Sequence, residues 1–333
     1  MEKIFVTGVN GLLGTNLVNT LLERGFYVIG LVRNRAKYHG SVSKNLELVE
    51  GGLTDDSIET LVPILMDCDY IVHVAAETSQ SMLRYSDYRK INYEATVHLF
   101  EAAVMCNIKR FIFVSTANTL GYGSCNRVND FQGNSGSELA GIRAPFDKSF
   151  YAQSKREAEI YLLENKHRTD VIIVNPTFML GAYDSKPGSG KIITMFWKKP
   201  VIFYPPGGKN FVHVADVADS IIKSFSQGIN GEKYLLANEN LSYREFFEKL
   251  NTQTKRNSLM IKIPAFVLLF LGFIGDIIRI FNIKTSISSV NMKILCIYNF
   301  YSNKKSVADL HVTYQPIDMA ISDAIKYFMR KGE

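Results

Sequence analysis

Short runs of apolar residues recur along the first half of the chain, separated by longer stretches whose apolar positions follow helical spacing. The runs predict strands at residues 3–7, 26–32, 46–50, 70–74, 110–114 and 170–174. The nearly all-apolar run at 26–32 is typical of a buried parallel strand. The intervening stretches 12–24, 57–66, 88–106 and 151–165 predict helices. This alternation predicts an α/β fold, a doubly wound parallel sheet of the Rossmann type.

The longest apolar region of the chain runs from Ile263 to Phe281. Pro264, Asp276 and Arg279 interrupt it, and it is too short for a membrane-spanning helix, so we predict no integral span. The favoured interpretation is a buried helix. The alternative is a surface that holds an apolar substrate or makes a peripheral contact with a membrane.

Length, charge and cysteine content indicate which classes of protein the chain could belong to. A chain of 333 residues is long enough to bury a substantial core, in one large domain or in two lobes. The formal charge of +6 is expected to be spread along the chain and gives little reason to expect nucleic acid, whereas anionic small molecules remain compatible. The cysteines, Cys68, Cys106, Cys125 and Cys296, have no metal-ligand spacing and predict reduced thiols and no metal site. With no secretion signal after Met1, we expect a cytoplasmic protein.

A Gly-rich turn follows the first predicted strand. Gly8, Gly11 and Gly14 allow a sharp turn, a close approach of the backbone to a pyrophosphate, and tight packing of the next helix. The N-terminus of that helix attracts phosphate groups. Arg33 stands directly after the second strand, where an arginine suits a 2′-phosphate, so the sequence favours NADP over NAD.

Tyr151 and Lys155 lie four residues apart in a helix-favouring run and therefore share a helix face. An ammonium beside a phenol favours the phenolate, which improves Tyr151 as a proton donor and acceptor. Taken alone, this spacing also occurs on ordinary exposed helices. The fifth predicted strand delivers Ser115 and Thr116 to the carboxyl edge of the sheet, where ligands of such folds bind.

Several motifs together resemble the extended short-chain dehydrogenase/reductase family, within the NAD-dependent epimerase/dehydratase superfamily. They are Thr7-Gly8-Val9-Asn10-Gly11-Leu12-Leu13-Gly14, His73-Val74-Ala75-Ala76, Asn92, Ser115-Thr116-Ala117-Asn118, Tyr151-Ala152-Gln153-Ser154-Lys155 and Phe211-Val212-His213-Val214-Ala215-Asp216. The segment from Asn175 to Gly181 is most similar to the branch of dihydroflavonol reductases and hydroxysteroid dehydrogenases. Two positions depart from the family pattern: Gly52 replaces a frequent aspartate, and Leu120 replaces the tyrosine of sugar-nucleotide enzymes.

The resemblance implies roles for particular residues. Thr116, Tyr151 and Lys155 are expected to be catalytic. The residues expected to bind the cofactor are Thr7, Gly8, Asn10, Gly11, Leu12, Leu13, Gly14, Arg33, Leu53, Ala75, Ala76, Asn92, Tyr151, Lys155, Pro176 and Thr177. It also implies two domains: a dinucleotide-binding Rossmann domain of residues 1–177 and about 211–237, and a smaller substrate-binding lobe of residues 178–210 and about 238–333.

The function implied is hydride transfer between a nicotinamide cofactor, NADP or NAD, and a ketone or secondary alcohol of a small, apolar or ring-bearing substrate. Lys209 is a candidate contact for an anionic substrate group. A nucleotide-sugar epimerase with tightly bound NAD is one alternative, and a non-catalytic dinucleotide-binding sensor or scaffold is another. The helices at 88–106 and 151–165 correspond to those that pair in dimers of the family, so a homodimer is compatible with the sequence.

Overall fold

The computed structural model of the chain describes residues 1–54, 58–123, 136–185 and 187–331. Three features of the sequence analysis lie outside the described residues. They are Cys125, residue 57 at the start of the predicted helix 57–66, and part of the loop that precedes Tyr151.

A large parallel sheet forms the centre of the molecule. In the described residues its strands are β1 (Lys3–Thr7), β2 (Tyr27–Val32), β3 (Leu46–Glu50), β4 (Tyr70–His73), β5 (Arg110–Val114), β6 (Asp170–Pro176) and β10 (Lys233–Leu236). These seven strands lie in the order β10-β6-β5-β4-β1-β2-β3. The doubly wound sheet is confirmed, and the predicted strands agree with the observed ones within two residues at each end. Strand β10 was not predicted.

Helices cover both faces of this sheet. They are α1 (Leu12–Glu23), α2 (Ile58–Leu65), α3 (Tyr85–Arg89), α4 (Ala95–Met105), α5 (Phe150–Glu164) and α7 (Val214–Gln227). A π-helical turn, Lys90–Glu94, joins α3 to α4 within the helix predicted at 88–106. Such turns are rare in proteins overall, and those that occur are often found at functional sites.

Successive side chains of β1 point to opposite faces of the sheet, so this one strand contributes to the core on both sides. Ile4 and Val6 lie in the core cluster that includes Leu17 of α1, whereas Phe5 lies in the opposite cluster with Phe100 of α4. Successive side chains of a strand point to opposite faces, so a strand between two helical layers must be apolar throughout.

A smaller second region is built from later parts of the chain. Its strands are β7 (Phe178–Leu180), β8 (Val201–Tyr204), β9 (Gly208–His213), β11 (Glu239–Ser242), β12 (Leu259–Lys262) and β13 (Tyr298–Asn299). Its helices are α6 (Lys191–Thr194), α8 (Tyr243–Thr254), α9 (Ala265–Ile280), α10 (Ser289–Cys296) and α12 (Ile317–Lys331). Helix α11 (Lys304–Leu310) packs instead against α7 and β10 of the large sheet. Strand β9 pairs with β7, β11 and β13, so the boundary predicted near residue 211 falls inside a strand of this smaller sheet.

Helix α9 contradicts the favoured interpretation of the segment from Ile263 to Phe281. The segment is helical, but most of its large apolar side chains are exposed, including Phe266 at 72% and Phe270 at 62%. Among the residues that the structure describes, no helix is long and apolar enough to cross a membrane.

Candidate active site

The Gly-rich turn between β1 and α1 lies against the end of β4. Gly8 has a φ of +70°, and a Cβ at this position would lie 2.7 Å from the Ala75 backbone nitrogen. A Cβ on Gly14 would lie 2.1 Å from the Gly8 carbonyl oxygen. Gly11 differs, because within the described chain a Cβ there would meet only that carbonyl oxygen, at 3.4 Å. Packing within the protein therefore does not require glycine at position 11, whereas a pyrophosphate seated on the start of α1 would.

A hydrogen-bonded chain links this turn to the helix after β4 through His73. Thr7 Oγ1 accepts from the two backbone nitrogens that follow His73 and lies 2.8 Å from His73 Nδ1. His73 Nε2 lies 3.0 Å from Thr96 Oγ1, which itself donates to a backbone carbonyl one turn earlier. These roles place the imidazole proton on Nε2. Burial, aided by the Lys155 ammonium, lowers the pKa of His73 to about 3, so His73 is a neutral structural link.

Asn92 connects the loop after β4 to the helix that carries Tyr151. Its Oδ1 accepts from the Glu77 backbone nitrogen at 2.8 Å, and its Nδ2 donates to the Glu77 carbonyl and to Ser154 Oγ at 3.1 and 3.0 Å. Ser154 Oγ in turn donates to the Tyr151 carbonyl at 2.9 Å. Asn92 is fully buried and both its amide hydrogens are used within the protein. This placement favours a positioning role over the predicted direct contact with the cofactor.

The hydroxyls of Thr116 and Tyr151 meet at the carboxyl edge of the sheet. Thr116 follows β5, Tyr151 lies in the first turn of α5, and the Thr116 hydroxyl is near enough to the Tyr151 phenol to lower its pKa. Burial raises the pKa of Tyr151 to about 12, and the Thr116 hydroxyl opposes this rise only in part. The expectation of a phenolate favoured by Lys155 is therefore wrong for this structure, because desolvation outweighs the other influences. Tyr151 is a neutral phenol, ready to donate a proton.

Lys155 is almost completely buried, with 1% of its surface exposed. Its Nζ lies 3.8 Å from the centroid of the Phe113 ring and has no hydrogen-bond partner among the described residues. Burial lowers the pKa of Lys155 to about 7, although Glu159 one turn away opposes the shift. A buried amine that leaves its hydrogen bonds unmade is costly, so this arrangement points to a ligand as its partner.

A second buried network fixes the backbone of Thr116. Glu159 is fully buried, and its Oε1 accepts from Thr119 Oγ1 and Asn175 Nδ2, both at 2.7 Å. Its Oε2 accepts from Lys233 Nζ at 2.5 Å. Asn175 Nδ2 also lies 3.0 Å from the Thr116 carbonyl oxygen. The network therefore holds α5, β6 and the turn after β5 in one arrangement.

A cavity of about 140 Å³ opens beside Thr116. Lys209, Phe178, Asn299 and Tyr301 are among the residues that line it. Lys209 Nζ lies 4.4 Å from the centroid of the Phe178 ring, and burial lowers the pKa of Lys209 to about 8. Asn299 Oδ1 has no hydrogen-bond partner in the described chain. A larger depression of about 690 Å³ between α8 and β12 contains none of the predicted site residues.

Other residues predicted to bind the cofactor follow the ends of the strands. Arg33 is exposed directly after β2, Leu53 is partly buried after β3, Ala75 and Ala76 follow β4, and Pro176 and Thr177 line the cavity. Thr177 Oγ1 donates to Asn210 Oδ1 at 2.7 Å, so its hydroxyl is already engaged within the protein. In the turn after β1, Leu12 is partly buried, and the side chain of Leu13 is in the core at 3% exposure, which leaves only its backbone for a ligand.

The residues present fit a dinucleotide. Among the buried polar atoms that lack a partner in the described residues are Asn10 Oδ1, Ser115 Oγ and Lys155 Nζ. Asn10 lies in the Gly-rich turn, Ser115 follows β5 and Lys155 lies on α5. Together with the open space over Gly11, these atoms offer hydrogen bonds along the carboxyl edge of the sheet.

Sequence reasoning missed Glu159, Lys233, Asn299 and Tyr301. Glu159 could have been found, because it lies one turn after Lys155 and must be buried on the same face. No signal pointed to the other three, since each reaches the site from a distant part of the chain.

Comparisons with known proteins agree with this geometry. A sequence model described as the NAD dependent epimerase/dehydratase family matches residues 4–237. A Synechocystis sp. protein provisionally named dihydroflavonol 4-reductase is 26% identical, with 99% of this chain and 96% of that protein covered. The Dictyostelium discoideum sterol-4-alpha-carboxylate 3-dehydrogenase, decarboxylating, is 24% identical over 85% of this chain and 87% of its own length. The solved structure of gox2253 superposes with a TM-score of 0.81 at 26% identity and covers 100% of this chain and 99% of that one.

Proposed function

This chain belongs to the NAD-dependent epimerase/dehydratase family, and we propose that it is an NADP(H)-dependent oxidoreductase that interconverts a ketone and a secondary alcohol. The observation that carries the proposal is the convergence of three groups: the Thr116 hydroxyl beside the Tyr151 phenol, and, one turn along the same helix face, the Lys155 amine, which has no hydrogen-bond partner among the described residues. A hydroxyl, a phenol and an amine with these positions are what proton transfer beside a nicotinamide requires.

Each residue has a separate task in this mechanism. When bound, the nicotinamide supplies or accepts the hydride. In the direction of reduction, Tyr151 donates its proton to the substrate oxygen, and in the direction of oxidation it takes that proton back. Thr116 donates a hydrogen bond to the same oxygen and fixes its direction. Lys155 would bind the nicotinamide ribose, which would give its buried Nζ the hydrogen-bond partner that it lacks among the described residues.

Arg33 supports NADP as the cofactor. It is exposed at the end of β2, and a guanidinium at this position matches a 2′-phosphate. Replacement by aspartate should favour NAD, which can be measured as the ratio of the two dissociation constants.

The cavity beside Thr116 supports a substrate with an apolar or ring-bearing body and an anionic group near the reacting carbon. Lys209 supplies a partly desolvated ammonium there, and Phe178 and Tyr301 supply aromatic surface. One relative acts, by its name, on a sterol 4-alpha-carboxylate, which combines both features.

The test uses NADPH deuterated at nicotinamide C4 and a panel of cyclic ketones with and without a carboxylate. We expect NADP to form in step with alcohol, with deuterium on the new carbinol carbon and faster turnover of the carboxylate-bearing ketones. An epimerase would instead retain tightly bound NAD, show no net oxidation of added NADPH, and place no deuterium in the product. Binding of NADPH with no transfer to any ketone would revive the sensor alternative.

A further inference from the structure

Helix α9 presents a continuous apolar stripe to solvent. Phe266, Phe270, Phe273, Ile277 and Ile280 recur at helical spacing and are 72%, 62%, 59%, 41% and 76% exposed. Exposed apolar surface of this extent is unusual on a protein that works alone in water, and it marks a surface that contacts a partner or a membrane.

The opposite face of α9 is seated firmly on the protein. Leu268 is 5% exposed, a Cβ on Gly272 would lie 2.9 Å from Ser289 Cα, and one on Gly275 would lie 2.0 Å from the Ile287 carbonyl oxygen. Asp276 Oδ1 accepts from the Ser289 backbone nitrogen at 3.1 Å. The helix cannot rotate to bury its outer face without losing these contacts, so the exposure of the stripe is built into the fold.

The charges of the chain segment that contains α9 indicate the kind of partner. Residues 255–297 contain six cationic side chains, Lys255, Arg256, Lys262, Arg279, Lys284 and Lys293, but only one anionic side chain, Asp276. This segment therefore holds most of the formal charge of +6, which corrects the expectation that the charge is spread along the chain. All of these cations except Arg279 are exposed.

We propose that the outer face of α9 docks this protein on the surface of an anionic lipid bilayer, with the aromatic and aliphatic stripe in the acyl boundary and the flanking cations against the phosphates. A second copy of the chain fits less well, because a two-fold contact through α9 would bring the cations of both copies to one interface. The inference does not depend on the proposed chemistry.

The helix also lies close to the candidate active site. Arg279 Nη2 donates to the Met82 carbonyl at 2.6 Å, in the loop between β4 and α3. Ile294 and Ile297, from α10 and the residue after it, pack against the cluster that contains Ala117 and Tyr301 beside the cavity. Docking through α9 therefore sets the catalytic region beside the bilayer, where an apolar substrate would be concentrated.

The test is co-sedimentation of the full chain with vesicles of phosphatidylcholine alone or with 30% phosphatidylglycerol. We expect binding to the anionic vesicles that weakens with salt. Phe270→Gln with Phe273→Gln should reduce the partition coefficient about tenfold or more. Lys262→Glu with Lys284→Glu should reduce it about fivefold for each cation removed. The matched controls are Ile229→Gln, at an apolar position 56% exposed, and Lys44→Glu, at an exposed cation, and both should bind like the original chain.

Unfolding temperature and NADPH affinity report whether each variant is folded. Failure of the original chain to bind anionic vesicles at low salt would overturn the proposal. So would a stable dimer that Phe270→Gln with Phe273→Gln converts to monomer, because the stripe would then be an interface between copies. A dimer that Phe270→Gln with Phe273→Gln leaves intact would show that α9 is free of the dimer interface, and it supports the proposal when the original chain binds anionic vesicles and this variant does not.

Discussion

Helices α5 and α9 are almost equal in length, 15 and 16 residues. Neither follows the usual pattern in which apolar side chains are buried and charged side chains are exposed. The polar helix α5 buries Lys155, Glu159 and Ser154, whereas the apolar helix α9 exposes Phe266 and Phe270. A buried charge and an exposed apolar stripe both cost free energy that an ordinary sequence would avoid.

The two helices differ in how that cost is offset. On α5, Glu159 accepts hydrogen bonds from partners within the protein, while Lys155 Nζ has no such partner among the described residues. On α9, the apolar side chains of the inner face are buried against α10, whereas those of the outer face are exposed to solvent. The uncompensated groups, one polar and one apolar, are the ones to which we assign a ligand and a membrane.

The largest expected effect comes from Lys155→Met, which separates function from stability. Turnover with the best ketone should fall about 10²–10⁴-fold, and NADPH binding should weaken. The free energy of unfolding should rise by about 1–4 kcal/mol, because an apolar side chain of similar volume replaces a buried amine. Urea unfolding and steady-state kinetics measure the two quantities. A variant that loses stability and keeps NADPH affinity would mean that Lys155 is only a structural residue.

Glu159→Leu tests the compensated charge on the same helix. Thr119, Asn175 and Lys233 would lose their shared acceptor, so unfolding should become easier by about 3–5 kcal/mol. The control is Glu157→Leu, which removes a partly exposed pair with Arg89 and a hydrogen bond from Tyr85 and should cost about 1–2 kcal/mol. If both variants lost the same free energy of unfolding, the buried Glu159 network would contribute no more to stability than a partly exposed ion pair.

Leu268→Ala and Phe270→Ala compare the two faces of α9. The buried Leu268 should cost about 2–5 kcal/mol of unfolding free energy. The exposed Phe270 should change it by about 0.5 kcal/mol or less, although it is the larger side chain. A large loss on removing Phe270 would mean that this face packs against protein in solution.

The smallest effect is a slope with pH. The folded pKa of Lys155 is lowered from 10.5 to about 7, so between these values the unfolded chain holds a proton that the folded chain lacks. The contribution of Lys155 to the free energy of unfolding should therefore rise as pH increases from about 7, by about 1.4 kcal/mol per pH unit at most. Below pH 7 both states are protonated and the contribution is flat. Urea unfolding at pH 7, 8 and 9 should show a shallower slope for Lys155→Met than for the original chain.

Much of the fold and part of the site could be predicted, and the limits have physical causes. The strands that flank Gly8 and Thr116 are local apolar patterns, and sheet topology brings their ends to one edge. The partner of Glu159 could not be predicted, because Lys233 lies on β10, far along the chain. The pKa of Tyr151 depends on burial, which spacing does not report. The exposure of α9 was not predicted, because an apolar sequence pattern indicates that a surface would be stabilised by burial but does not show whether another element packs against it.

The most direct test of the proposed chemistry is the Tyr151→Phe variant, which keeps the aromatic ring and removes the phenolic proton. Its NADPH dissociation constant, measured by fluorescence, should be close to that of the original chain. Its rate of ketone reduction under saturating cofactor should be about 10²–10⁴-fold lower. Reduction at a rate near that of the original chain, with NADPH still bound, would contradict the assignment of Tyr151 as the proton donor.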